Sequence, residues 1–132
     1  MRIIIADDQS QVRFALRVAL EHQPGFKTIG EAADAPDLLA QAQALCPDLV
    51  LLDWDLPGVG VVDLMRALRK FCPRARVIAL GSEPATRAAA LAAGVNAFIS
   101  KSDPPDELLA AIDACWDKSS ARRMPSLGLA MV

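Results

Sequence analysis

Short apolar runs alternate along this chain with longer stretches in which apolar residues return every three or four positions. The runs are Ile3-Ile4-Ile5-Ala6, Phe26 to Glu31, Leu49-Val50-Leu51-Leu52, Val77-Ile78-Ala79-Leu80 and Ala97-Phe98-Ile99-Ser100. Each has strand length, and their nearly continuous apolar character suits strands covered on both faces. Between them the period is helical. Val12, Ala15, Leu16, Ala19 and Leu20 form one stripe, with Ser10 as its expected N-cap and Pro24-Gly25 as its stop. Asp34-Ala35-Pro36-Asp37 opens a second helix carrying Leu38, Leu39, Ala42 and Leu45, which closes near Pro47. A third carries Val61, Leu64, Met65 and Leu68 up to Cys72-Pro73. A fourth, mostly alanine from Ala85 to Ala93, ends at Gly94. Asp103-Pro104-Pro105-Asp106 caps a fifth, with Leu108, Ala111, Ile112, Cys115 and Trp116 facing inward.

Five β/α repeats joined by right-handed crossovers imply a doubly wound α/β fold with a parallel sheet. A chain of 132 residues holds one such domain. Residues 1–118 are read as that domain, and 119–132, too short to fold alone, as a tail or linker. With 53% hydrophobic and 23% charged residues the chain is globular, and a net charge of -2 gives no basic footprint for nucleic acid. No apolar stretch has the length of a membrane span or signal peptide. Three widely spaced cysteines, Cys46, Cys72 and Cys115, suggest neither a disulfide framework nor a thiolate metal site, so a reduced, cytoplasmic protein is expected.

Chemistry enters with the acids. Asp7 and Asp8 follow the first apolar run and Asp53 follows the third. On adjacent parallel strands, all three would gather in the crevice beyond the carboxyl ends, where open α/β sheets place ligands. Carboxylates a few ångströms apart repel by roughly 4 kcal/mol per pair at an effective dielectric near 20, so the cluster calls for Mg²⁺ or a lysine. Lys101, just past the fifth run, is placed to serve. Taken alone, Asp7-Asp8 reads more simply as a turn and helix cap; Asp53 and Lys101 shift the balance.

Asp7-Asp8, the Asp53-Trp54-Asp55-Leu56-Pro57-Gly58 stretch and Phe98-Ile99-Ser100-Lys101, in this order and strand context, resemble the receiver domain of two-component response regulators. The run from Lys101 to Leu109 further resembles receivers of the NarL/FixJ (LuxR-like) class. That resemblance implies a flavodoxin-like sheet of order 2-1-3-4-5. It implies that Asp53 accepts a phosphoryl group from a sensor histidine kinase. Mg²⁺, or Mn²⁺ in its place, would be held by Asp8, by Asp7 directly or through water, by Asp53 and by the Asp55 carbonyl. Lys101 would pair first with Asp53 and then with the phosphoryl group. Such a domain is a switch rather than an enzyme, promoting only its own phosphorylation and dephosphorylation. It controls transcription through a separate or missing output domain, and homodimerisation on phosphorylation is a further option. No nucleic-acid or membrane contact is expected of this segment itself.

Two positions depart from the pattern. Receivers carry Thr or Ser straight after strand 4, where this chain has Gly81; Ser82 follows and is the candidate replacement hydroxyl. Val59-Gly60-Val61 replaces a more usual acidic-glycine pair. Phe98 is either plain core or the aromatic that changes rotamer on activation. Trp54 either controls access to Asp53 or packs on its loop, and His22 reads as a surface residue. Two other functions compete. One is a degenerate receiver serving as a phosphorylation-independent docking module, favoured by Gly81. The other is a Mg²⁺-dependent phosphohydrolase, disfavoured because its nucleophile normally follows the first strand.

Overall fold

The computed structural model describes residues 1–123, with side chains as far as Cys115. Five strands, β1 (Arg2–Ala6), β2 (Lys27–Ala32), β3 (Leu49–Asp53), β4 (Arg76–Gly81) and β5 (Ala97–Ser100), alternate with α1 (Ser10–Glu21), α2 (Ala35–Leu45), α3 (Val61–Phe71), α4 (Thr86–Ala92) and α5 (Pro105–Arg123). All pairings are parallel and the sheet order is β2-β1-β3-β4-β5, the expected flavodoxin-like arrangement.

Strand alternation divides the core in two. Ile4, Ala6, Val50, Leu52, Val77, Ala79 and Phe98 pack on one face against Leu38, Leu64, Leu68 and Ala90, from α2, α3 and α4. Ile3, Ile5, Leu49, Leu51, Ile78 and Leu80 pack on the other against Leu20, Leu108 and Ile112, from α1 and α5. Because both faces are covered, successive residues are buried with no polar alternation. Ile3, Ile4 and Ile5 are each fully enclosed, worth about 1.5–3 kcal/mol apiece relative to exposure.

Several boundaries differ from the sequence reading for local reasons. Ser10 is the first residue of α1 and not its cap; Gln9 holds the cap position, and its amide donates to Asp7 Oδ1 at 2.8 Å. The turn is thus closed by the acid two residues upstream. Asp34 does cap α2, accepting from the Asp37 amide at 2.9 Å. The fourth helix is shorter than its alanine run, since Ala85 is its cap and Ala93 its end, with Gly94 at φ 102° turning the chain into β5. Helix α5 continues to Arg123, into the segment read as tail; residues 124–132 and the Trp116 side chain lie outside the described residues. Among the described residues no helix is long and apolar enough to cross a membrane.

Candidate functional site

Register brings the acids together. Ala6 pairs with Leu52, so Asp7 and Asp53 leave adjacent strands side by side, and Asp53 itself pairs with Leu80 of β4. Gly81 pairs with Ser100, and the Gly81 carbonyl accepts the Lys101 amide at 2.9 Å, holding Lys101 one residue past β5. Its ammonium reaches across the strand ends to Asp7 Oδ2 at 2.9 Å and Asp53 Oδ1 at 3.2 Å. Carboxylate oxygens of Asp7, Asp8 and Asp53 all lie within 4.8 Å of one another. Asp7 and Asp53 are buried and Asp8 is exposed, so the cluster opens to solvent on one side.

The two buried acids are held through backbone groups. The Asp7 amide donates to the Ala32 carbonyl at 2.9 Å, and the Arg13 guanidinium donates to the Asp7 carbonyl at 2.6 Å. Arg13 is steadied in turn by Glu31, 3.2 Å from its Nε. Asp53 Oδ1 accepts the Asp55 amide at 3.0 Å, a bond that turns the start of the β3–α3 loop back toward Asp53. At the far end of that loop the Pro57 carbonyl accepts the Ala35 amide at 2.8 Å. Gly58 there has φ 113°, and a Cβ would fall 2.6 Å from the Pro36 ring, so only glycine suits the turn. Trp54, half-buried, packs against the core.

Charge is the dominant physics here. Burial pushes the Asp53 carboxyl above its usual range and the neighbouring Asp7 adds to this, while the Asp55 amide and Lys101 pull the other way without cancelling it. Burial alone would lower the Lys101 ammonium, but hydrogen bonds and attraction from Asp7 and Asp53 outweigh it and raise the group, which stays charged at neutral pH. One ammonium therefore faces three carboxylates. Asp7 Oδ2 is fully enclosed, with the Lys101 ammonium 2.9 Å away. Hard oxygen donors, spaced this closely and short of positive charge, fit a divalent cation such as Mg²⁺.

The remaining candidates sit on the β4–α4 side. Ser82 is exposed at the start of the loop. Phe98 is buried, and its ring fills the space a residue-81 side chain would occupy: a Cβ built on Gly81 meets ring atoms at 2.8 and 2.9 Å. The Arg87 guanidinium lies over that ring, 5.6 Å from its centre, and donates to the Phe98 carbonyl at 3.3 Å. A hydroxyl that sequence reasoning passed over, Thr86 Oγ1, lies 3.0 Å from the same built Cβ and donates to the Glu83 carbonyl at 2.6 Å. Its position four residues beyond Ser82 was no pointer to it without the loop's path.

An acid cluster with one lysine, at the carboxyl end of a 2-1-3-4-5 parallel sheet, defines a receiver-type α/β domain. The chain belongs to the response regulator receiver domain family, whose model matches residues 3–113. It is 30% identical to the response regulator UvrY of Escherichia coli O6:H1 over 118 residues, covering 88% of this chain and 54% of UvrY. A LuxR-family two-component response regulator from Aurantimonas sp. superposes with a TM-score of 0.79 at 34% identity, covering 86% of this chain and 83% of that one. The isolated receiver domain of RcsB from Salmonella enterica serovar Typhimurium, solved with the phosphomimetic BeF₃⁻, superposes at 0.80 with 27% identity, covering 89% and 88%. The chain spans about half the length of the curated relatives it matches.

Proposed function

We propose that the chain is a phosphorylation switch: Asp53 accepts a phosphoryl group from the phosphohistidine of a sensor kinase, in a reaction that requires Mg²⁺ or Mn²⁺. The observation that carries this reading is the buried Asp53 carboxylate, with Asp7 and Asp8 oxygens within 4.8 Å and Lys101 Nζ at 3.2 Å. An Asp53 oxygen attacks phosphorus as the P–N bond breaks, giving an acyl phosphate and free imidazole. Lys101 exchanges its Asp53 contact for a phosphoryl oxygen while keeping Asp7. The Asp55 amide and Lys101 both meet Oδ1, which leaves Oδ2 as the oxygen to attack. Asp7, Asp8, Asp53 and the Asp55 carbonyl would hold a divalent cation, which when bound would supply the charge neutralisation that a loose phosphoryl-transfer transition state needs. The donor's bond is already labile, so the protein's part is positioning and electrostatics, and the domain is no enzyme beyond its own phosphorylation and dephosphorylation.

Output would pass to a transcription-regulating domain, in the same protein or separate, with dimerisation on phosphorylation as one route and the cytoplasm as the compartment. With a net charge of -2, this segment itself is not expected to contact DNA. A second reading, the phosphorylation-independent docking module, draws on Gly81 and the already buried Phe98, which leave Ser82 or Thr86 to supply any switch hydroxyl.

Incubation with phosphoramidate, followed by intact-mass measurement, tests the proposal. A single phosphate that needs Mg²⁺ and is lost in Asp53→Asn is expected. A folded protein that gains none, and binds no beryllofluoride, would leave only the docking reading.

A further inference from the structure

Helix α2 ends in an unusual way. Its C-cap, Cys46, has φ 46°, the single positive-φ residue other than glycine among those described. Glycine or asparagine normally takes this place, because a β-carbon costs energy there. Pro47 follows, and the residue before a proline favours extended backbone. A cysteine is thus held where two local rules oppose it. Its carbonyl accepts from the Arg2 guanidinium at 2.9 Å, which pins the turn.

What lies beside it is the C-cap of α3. The Cys46 amide donates to the Ala42 carbonyl at 2.9 Å, and the Cys72 thiol donates to that same oxygen at 3.2 Å. Sharing one acceptor, the Cys46 nitrogen and the Cys72 sulfur are no more than about 6 Å apart, so the two cysteines are neighbours across the α2 and α3 caps. Burial pushes the Cys72 thiol up, and the nearby Cys46 thiol adds to this. Their access differs: Cys46 is exposed and Cys72 is buried.

We propose that Cys46 and Cys72 are a redox modification site that closes to a disulfide under a hydroperoxide and reopens with a dithiol. Cys46, the sulfur in contact with solvent, attacks the peroxide; the O–O bond breaks, and Cys46 becomes a sulfenic acid as one molecule of water or alcohol leaves. Cys72 sulfur then displaces the hydroxyl from Cys46, the thiol proton departing with it as water. Two thiols lose two electrons and the peroxide gains two. The bond would tie the ends of α2 and α3 and enclose β3, including Asp53, in the closed loop.

The test treats the full chain, folded, with a small excess of hydrogen peroxide, then alkylates and digests it. The expected product is lighter by two hydrogens, joins the Cys46 peptide to the Cys72 peptide, leaves Cys115 alkylatable and reverts with dithiothreitol. Its thermal midpoint should rise by roughly 10–15 °C, since a cross-link closing a loop of this length restricts the unfolded chain. Cys46→Ser, which keeps a residue of similar size at the exposed position, should give no intramolecular link while melting as the reduced protein does. Oxidation of Cys46 to sulfinic acid with Cys72 still alkylatable would overturn the proposal, as would a link to Cys115 or between chains.

Discussion

Replacing Asp53 with asparagine should stabilise the protein. Asparagine keeps the shape and an oxygen for the Asp55 amide, and removes one charge from a cluster of three carboxylates facing a single ammonium. At an effective dielectric near 20, repulsion from buried Asp7, within 4.8 Å, costs at least about 3.5 kcal/mol, exposed Asp8 being largely screened by solvent, and attraction to Lys101 at 3.2 Å returns about 5. Burial of the carboxylate adds a penalty of about 3 kcal/mol, so ionised Asp53 is net unfavourable by roughly 1–2 kcal/mol. The raised Asp53 carboxyl, whose largest cause is burial, has the same sign. A carboxyl raised in the folded state binds its proton more tightly there than in the unfolded chain. Stability from this group is therefore full below the ordinary carboxylate range and lost as pH rises through the folded value. Thermal unfolding in EDTA at pH 7 should place Asp53→Asn about 3–6 °C above the parent, with the gap closing toward pH 3. Adding Mg²⁺ should raise the parent more than the variant, by mass action on the fuller acid set. A variant that melts at or below the parent at pH 7 in EDTA would refute the electrostatic reasoning.

Lys101→Met should act in the opposite direction, leaving Asp7 and Asp53 without their ammonium; a loss of about 2 kcal/mol is expected, reduced from the cost of breaking a fully buried pair because Lys101 is partly exposed. Urea unfolding measures it, and millimolar Mg²⁺ should restore a larger share of stability than in the parent. Gly81→Thr should drive the Phe98 ring out of its site or strain it, since the new Cβ would lie 2.8 Å from the ring, at about 1–3 kcal/mol. A ¹³C-labelled Phe98 would report the altered ring position by NMR, and an unchanged spectrum would show that the ring does not fill that space.

The fold was legible because its signals are local. Runs such as Ile3-Ile4-Ile5 and Leu49-Val50-Leu51-Leu52 are too apolar and too short for anything but doubly covered strands, and Asp34 and Gly94 punctuate helices by their own backbone chemistry. The meeting of Asp7, Asp8, Asp53 and Lys101 was legible for a related reason: all end or follow strands, and parallel topology sends every strand's carboxyl end to one edge. Features set through space were not legible. Asp7 closing the turn before α1, Phe98 occupying the void above Gly81, and Thr86 beside that void depend on loop paths that no periodicity encodes. Cys46 and Cys72 stood out only as two of three widely spaced cysteines, because neither the left-handed cap nor their shared acceptor can be seen from spacing.

Site-resolved mapping of the phosphoryl group is the most direct measurement of what this domain does. The phosphorylated chain would be reduced with borohydride, which converts an aspartyl phosphate to homoserine, and then sequenced by mass spectrometry. Homoserine at Asp53 alone, formed only with Mg²⁺ and absent from Asp8→Asn, is the predicted result. Modification at Asp7, Asp8 or Asp55, or Asp53 modification indifferent to Mg²⁺ and to Asp8, would contradict it.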